Sequence, residues 1–279
     1  MIIGIDIGST TTKAISIENG TVLTKIKTRA QDAVTSATGA FGKLIVENGL
    51  KMPDIKRIMI TGAGATKIEG ELFGIPTVRV NEITAIGIGG MFLSGQGNII
   101  IVNVGTGTAI IEAQADKIIP LGGSGVGGGT ILGLGKKLLS LSDFKDIMEL
   151  AVLGNLDPVD LLLEDIMITD FSFLDKKSTA SNFGKVLDTA HNEDIALGII
   201  NMVYQVIGML AVFAARSRNI DKVIVTGSGS HNPIGQKILT EITRMHSIYF
   251  EYPEGGEYTT AVGAGLCGEK NLAGFKPPA

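Results

Sequence analysis

The sequence predicts an α/β protein of two similar lobes, each a βββαβαβα unit, with a ligand cleft between them. Three observations carry this expectation. A strand–turn–strand plan occurs twice, strand and helix alternate after each occurrence, and glycines cluster just past short β-branched runs. Of 279 residues, 38 are glycine, roughly twice the usual share in a globular chain. A glycine at the end of such a run lets the backbone turn tightly or approach a ligand closely.

Taken in order, period-two alternation gives strands over 2–8, 11–18 and 22–27, the last two joined by a turn at Asn19-Gly20. A helix over 32–47 follows, then a strand over 56–61, a short helix near 67–73, a strand over 77–80 and a helix over 82–93. The plan restarts with strands over 98–104, 109–113 and 117–120, turning at Thr106-Gly107 and Ala115-Asp116. GIDIGSTTTKAISIENG and IVNVGTGTAIIEAQADK share it: apolar strand, Gly-Ser/Thr turn, apolar strand, polar turn. Helices over 129–141, 143–153 and 192–218 come next. A strand over 222–226, a helix over 232–246, a strand over 248–251 and a helix over 259–269 complete the chain. The domain reading is a first lobe over 1–95 and a second over 96–279 with helical insertions, the last helix packing back on the first lobe.

Composition excludes several classes. Apolar residues make up 44% and charged residues 19%, which supports a substantial core and argues against disorder. A net charge of −4 without a basic cluster argues against nucleic-acid binding. Cys267 is the single cysteine, so one chain builds neither a disulfide framework nor a cysteine metal site. The opening MIIGIDIG has no basic n-region and no cleavage site, so no secretory signal is expected and a cytoplasmic enzyme is the default. Residues 196–215 carry no charge and are long enough to span a bilayer. Asn201, Tyr204 and Gln205 interrupt them and no basic loop flanks them, so a buried helix is expected rather than a membrane span. Its apolar surface calls for the core or a second subunit.

Four segments suit phosphate and nucleotide. In the first, Gly8 bends the chain while Ser9, Thr10, Thr11 and Thr12 supply hydroxyls and amides. Lys13 adds a compact positive charge, and Asp6 suits Mg²⁺, an ion that takes one carboxylate, phosphates and retained waters. The second tip is Gly105, Thr106, Gly107 and Thr108, following Asn103-Val104. The third, Gly122 to Thr130, opens a helix, so the amides around Gly127, Gly128, Gly129 and Thr130 face an anion. It has neither P-loop nor Rossmann spacing. The fourth runs from a strand into Gly227, Ser228 and Gly229, a flat edge for a base and ribose. An ordinary polar-tipped hairpin is the bland alternative for each tip. Two tips in duplicated lobes favour a clamp.

In this order the segments resemble the ATPase core shared by actin, sugar kinases and the 70-kDa heat-shock chaperones. The resemblance implies two ribonuclease H-like, actin-like ATPase lobes holding Mg·ATP between the tips, with adenosine against the second lobe. Three further stretches resemble type II pantothenate kinases: Val80-Asn81-Glu82-Ile83-Thr84-Ala85, Val126 through Leu134, and Thr179-Ala180-Ser181-Asn182-Phe183-Gly184. They imply ATP-dependent phosphorylation of pantothenate to 4′-phosphopantothenate, the first step toward coenzyme A, by a homodimer. They also make Glu82 the catalytic base. Physically, a glutamate at a strand-to-helix junction either faces the cleft as a base or complements the helix dipole. One departure stands out: the family places an arginine before the Gly-Gly of the third loop, where this chain has Leu121 and, nearest, Lys117. Another small-molecule or sugar kinase, or a non-catalytic ATP-binding sensor, is the alternative. Activators of 2-hydroxyacyl-CoA dehydratases share the first hairpin but need interface cysteines, which Cys267 alone does not supply.

Overall fold

The computed structural model describes residues 1–29, 32–167 and 176–269. The first sheet is built from β1 (Ile2–Ile7), β2 (Thr11–Glu18), β3 (Thr21–Arg29), β4 (Arg57–Thr61), β5 (Glu71–Leu72) and β6 (Ile75–Arg79), in the order β3-β2-β1-β4-β6-β5. The second contains β7 (Ile99–Val104), β8 (Thr108–Ala113), β9 (Ile118–Ser124), β12 (Lys222–Thr226) and β13 (Tyr249–Glu251), ordered β13-β12-β7-β8-β9. In both, an antiparallel three-strand meander continues into parallel strands, so the duplication expected from the sequence is present. A two-stranded ribbon, β10 (Leu161–Leu162) with β11 (Thr179–Ser181), belongs to the insertion in the second half.

Helices cover both sheets. In the first half, α1 (Ala33–Asn48) packs Ala37, Phe41 and Leu44 against Ile3, Ile5, Ile58 and Ile60. Its first turn is capped by Asp32, and Gly49 ends it in the left-handed region. The second half adds α3 (Gly128–Leu134), α4 (Phe144–Ala151), α5 (Leu163–Ile166), α6 (Asn192–Ser217) and α7 (Pro233–His246). Of these, α6 is the long apolar stretch; Ile199, Val203, Tyr204, Ile207 and Val212 bury it against Val102, Val225 and Leu239.

Between the sheets lie α2 (Glu82–Ser94) and α8 (Thr259–Glu269), and they exchange sides. The helix that closes the first half packs Ile86 on Ile99, Ile101 and Ile224 of the second sheet. The last helix packs Ala261, Val262 and Cys267 on Ile15, Ile17 and Met59 of the first. The two cross at backbone contact: a Cβ on Gly263 would lie 1.8 Å from the Ala85 carbonyl oxygen, and one on Gly89 would lie 2.0 Å from that of Thr259.

Three expectations are corrected. The helix expected near 67–73 is a 3₁₀ turn over Ala63–Lys67 followed by the β5–β6 hairpin. Phe73 and Gly74 both take positive φ, as a two-residue hairpin turn demands, and Leu72 pairs with Ile75. The third strand of the second meander runs to Ser124 rather than 120, taking Gly122 and Gly123 into the sheet. The helix expected over 129–141 ends at Leu134, and the chain continues as a π turn over Gly135–Leu139.

Candidate active site

Directly paired residues on adjacent strands project to the same face, so sheet register decides which side chains meet. In the first sheet Thr61, Asp6, Lys13 and Lys27 form one row across β4, β1, β2 and β3. Two residues back along β1 on that face is Gly4, where a Cβ would lie 2.1 Å from the Ala261 carbonyl oxygen of α8. The first turn of α8 therefore covers the Gly4 row and leaves the Asp6 row facing the cleft.

The second sheet repeats the arrangement without the charges. Its row is Thr226, Asn103, Ala109 and Gly123, and Thr226 Oγ1 donates to Asn103 Oδ1 at 3.0 Å. Each row is closed by a glycine that only glycine's backbone accommodates: Gly62 at φ 86°, ψ 170° and Gly227 at φ 83°, ψ 177°. A Cβ at Gly62 would lie 2.6 Å from Asp6 Oδ1, and one at Gly227 would lie 2.9 Å from Asn103 Oδ1. A 3₁₀ turn follows each glycine, Ala63–Lys67 and Ser228–His231.

The two hairpin tips meet across the cleft, with Thr106 Oγ1 2.9 Å from Ser9 Oγ and 3.1 Å from Thr10 Oγ1. These exposed hydroxyls bond to each other where phosphate oxygens would give each of them an acceptor. Beneath them opens a cavity of about 490 Å³, within the range of ligand clefts. Asp6, Lys13, Lys27, Glu82, Asn103, Tyr204 and Thr260 line it together with both tips and Gly227, Ser228 and Gly229. Lys27 Nζ reaches Glu257 at 2.8 Å, and Arg29 pairs with Asp143 at 2.8 Å, so β3 is tied to the second half of the chain.

Charge inside the cleft is strongly perturbed. Burial pushes the Asp6 carboxyl up to about 6, against the pull of Lys13 and with a further push from Glu82. Burial also raises Glu82, the first residue of α2 after the Asn81 cap. Lys13 is held below its usual range by burial and secondarily by Lys27, while Asp6 and Glu257 oppose the shift.

Among the described residues no group of three or more His, Cys, Asp or Glu side chains assembles for a metal. That pattern does not suit an all-protein cage. Asp6 offers a carboxylate beside the hairpin tips, the kind of ligand Mg²⁺ takes together with phosphates and waters. The glycine at position 62 leaves the flank of Asp6 open for such an ion.

Most of the residues expected from the sequence are brought together: Asp6, Gly8, Ser9, Thr10, Thr11, Lys13, Glu82, Gly105 to Thr108, Gly128, Gly129 and Gly227 to Gly229 all border the cavity. Three are not. Thr12 pairs with Ile7 and Thr28 on the opposite face from Lys13, because successive strand residues alternate. Gly127 packs against the second tip, where a Cβ would lie 2.7 Å from the Thr106 carbonyl oxygen. Thr130 turns inward, accepting from the Gly127 amide and donating to the Gly125 carbonyl. Nor does the third loop hold out amides to an anion. Those of Gly128 and Gly129 donate to the carbonyls of Gly105 and Thr106, bracing the second tip from behind.

Sequence reasoning gave no site role to Lys27, Ala63, Ala109, Phe144, Tyr204 or Thr260. For Ala63 a signal existed, since ITGAG at 60–64 mirrors VTGSG at 225–229. Tyr204, whose hydroxyl donates to the Gly229 carbonyl at 2.6 Å, has no local motif.

Known proteins resemble this chain along most of its length. The family described as Fumble matches residues 98–264. A type II pantothenate kinase of Bacillus cereus is 32% identical over 274 residues, spanning 94% of this chain and 95% of that protein. One from Staphylococcus haemolyticus is 29% identical over 279 residues, covering 95% and 98%. Among solved structures, the activator of 2-hydroxyisocaproyl-CoA dehydratase from Clostridium difficile, with bound ADPNP, superposes with TM-score 0.69 at 18% identity, covering 100% and 99%. A ROK family glucokinase from Streptomyces griseus, in complex with glucose and AMPPNP, gives 0.61 at 16% identity, covering 98% of each chain. These two likenesses establish the actin-like ATPase fold.

Proposed function

The chain belongs to the type II pantothenate kinase family, and we propose that it transfers the γ-phosphoryl group of ATP to the primary hydroxyl of pantothenate. The product is 4′-phosphopantothenate, at the first step of coenzyme A synthesis. The observation that carries this reading is the juxtaposition, in one cleft, of two facing hydroxyl tips with Asp6, Lys13 and Glu82.

The roles follow from the chemistry. As the pantothenate oxygen bonds to the γ-phosphorus, the bond from phosphorus to the bridging oxygen breaks and its electron pair leaves with ADP. The hydroxyl proton goes to Glu82, a carboxylate whose raised pKa makes it a better acceptor near neutral pH. Ser9, Thr10, Thr11 and Thr106 donate to phosphate oxygens, and Lys13 places a positive charge beside them; the Thr108 hydroxyl instead donates to the Val126 carbonyl at 2.8 Å and holds the second tip in shape. Asp6 would hold Mg²⁺, which when bound neutralises phosphate charge. Gly227, Ser228 and Gly229 form the edge for adenosine, with Tyr204 fixing that edge by its bond to Gly229.

A homodimer belongs to the same reading. The inner face of α6 is buried, while Met202, Val206 and Met209 are half-buried and Phe213 is exposed along its outer side. Such an apolar stripe fits a two-fold contact. Among the described residues, the one helix long and apolar enough to cross a bilayer is this one, and it is largely packed inside the fold. An ATP consumer of this kind acts in the cytoplasm. A crystal soaked with a nonhydrolysable ATP analogue and pantothenate tests the arrangement. Phosphates should lie within hydrogen-bonding reach of both tips, with the acceptor hydroxyl beside Glu82; phosphates held by one lobe alone would contradict it.

A further inference from the structure

The cleft contains a second lysine for which the reading above has no role. Lys27 lies beside Lys13 in the Asp6 row and lines the same cavity. Its Nζ is 2.8 Å from Glu257 Oε2. Glu257 sits on the 3₁₀ turn Gly256–Tyr258, which is fastened to the adenosine edge: the Gly227 amide donates to the Gly256 carbonyl at 2.9 Å, and Thr259 Oγ1 donates to the same oxygen at 2.7 Å.

The row therefore has two ends. Glu82 acts electrostatically on Asp6 at one end. Lys27 stands two strands further along, about 10 Å away at usual strand spacing, and its partner is anchored to Gly227. That is the nucleoside side of the cleft, away from the acceptor hydroxyl.

Resting on the ATP-binding reading, we infer that Lys27 is a nucleotide-side cation that contacts polyphosphate oxygens, with Glu257 as the internal anion that competes with them for it. ATP binding exchanges one anionic partner of Lys27 for another. An ion pair that only braced the fold would respond in one direction to loss of either member. A competitor gives opposite signs.

The test is calorimetric binding of ATP, ADP and adenosine to the whole protein, with the acceptor KM measured alongside. Lys27→Met should weaken ATP and ADP about ten- to a hundredfold, the usual effect of losing one charge-assisted contact. It should leave adenosine affinity and the acceptor KM unchanged, and Lys27→Arg should restore most of the loss. Glu257→Gln should tighten ATP about two- to fivefold, the range of a partly exposed ion pair. Unaltered ATP affinity in Lys27→Met, an equal loss for adenosine, or weaker ATP binding in Glu257→Gln would overturn the inference and leave the kinase reading intact. A wild-type protein that binds no ATP would overturn both. Should Lys27→Met fail to fold, the sign of Glu257→Gln decides alone.

Discussion

Replacing Asp6 with asparagine should stabilise the ligand-free protein above pH 6 relative to acid. The carboxyl is raised from 3.8 to about 6, chiefly by burial, a difference of about two pH units at 1.36 kcal/mol each, or about 3 kcal/mol. Asp6 keeps an edge open to the cleft, so this is an upper figure and about 1–3 kcal/mol is expected. The folded-state pKa lies above the unfolded one, so Asp6 favours the folded state fully below pH 3.8. Between 3.8 and about 6 the unfolded chain has lost the proton that the folded chain still holds, and stability falls as pH rises. Above that window the loss is complete. Urea unfolding of wild type and Asp6→Asn without nucleotide or metal, at intervals from pH 4 to 8, measures it. The stability difference should shift by about 1–3 kcal/mol toward the variant across pH 4–6 and then level off. Parallel curves, or a wild type that gains on the variant, would refute the account of this carboxylate.

Other outcomes follow from the same geometry. Glu82→Gln keeps size and hydrogen bonding but cannot accept the proton, so kcat should fall about 10²–10⁴-fold with ATP affinity nearly unchanged by calorimetry. Gly62→Ala places a methyl 2.6 Å from Asp6 Oδ1 at a φ of 86°. Thermal unfolding should show a loss of about 1–3 kcal/mol, and titration should show weaker Mg²⁺ dependence. Phe213→Glu puts a charge on the exposed stripe of α6, and light scattering at micromolar concentration should show dimer turning into monomer without loss of helicity.

What was legible in the sequence was what local chemistry specifies. The strand Lys222–Thr226 matches its expected bounds because its β-branched run stops at Gly227, and the last helix begins at Thr259 as expected. The hairpin tips were readable because glycine followed by hydroxyls is a contiguous pattern. Thr12 was misjudged because a contiguous pattern ignores alternation; its side chain faces away from its neighbour Lys13. The third loop was misjudged for another reason. Its glycines do open a helix, but the amides of Gly128 and Gly129 are consumed by the second tip, a contact between segments more than 20 residues apart. Lys27 and Tyr204 reach the cleft, and Glu257 reaches Lys27, through register and tertiary packing, which no local motif encodes.

The central claim is phosphoryl transfer from ATP to pantothenate, and the most direct measurement follows the product itself. Purified protein is incubated with Mg·ATP and a panel of hydroxyl acceptors that includes pantothenate at millimolar concentration, and phosphorylated species are identified by mass spectrometry and ³¹P NMR. The account predicts 4′-phosphopantothenate formed in step with ADP, and its loss in Glu82→Gln. ATP consumed on another alcohol while pantothenate stays untouched would contradict it.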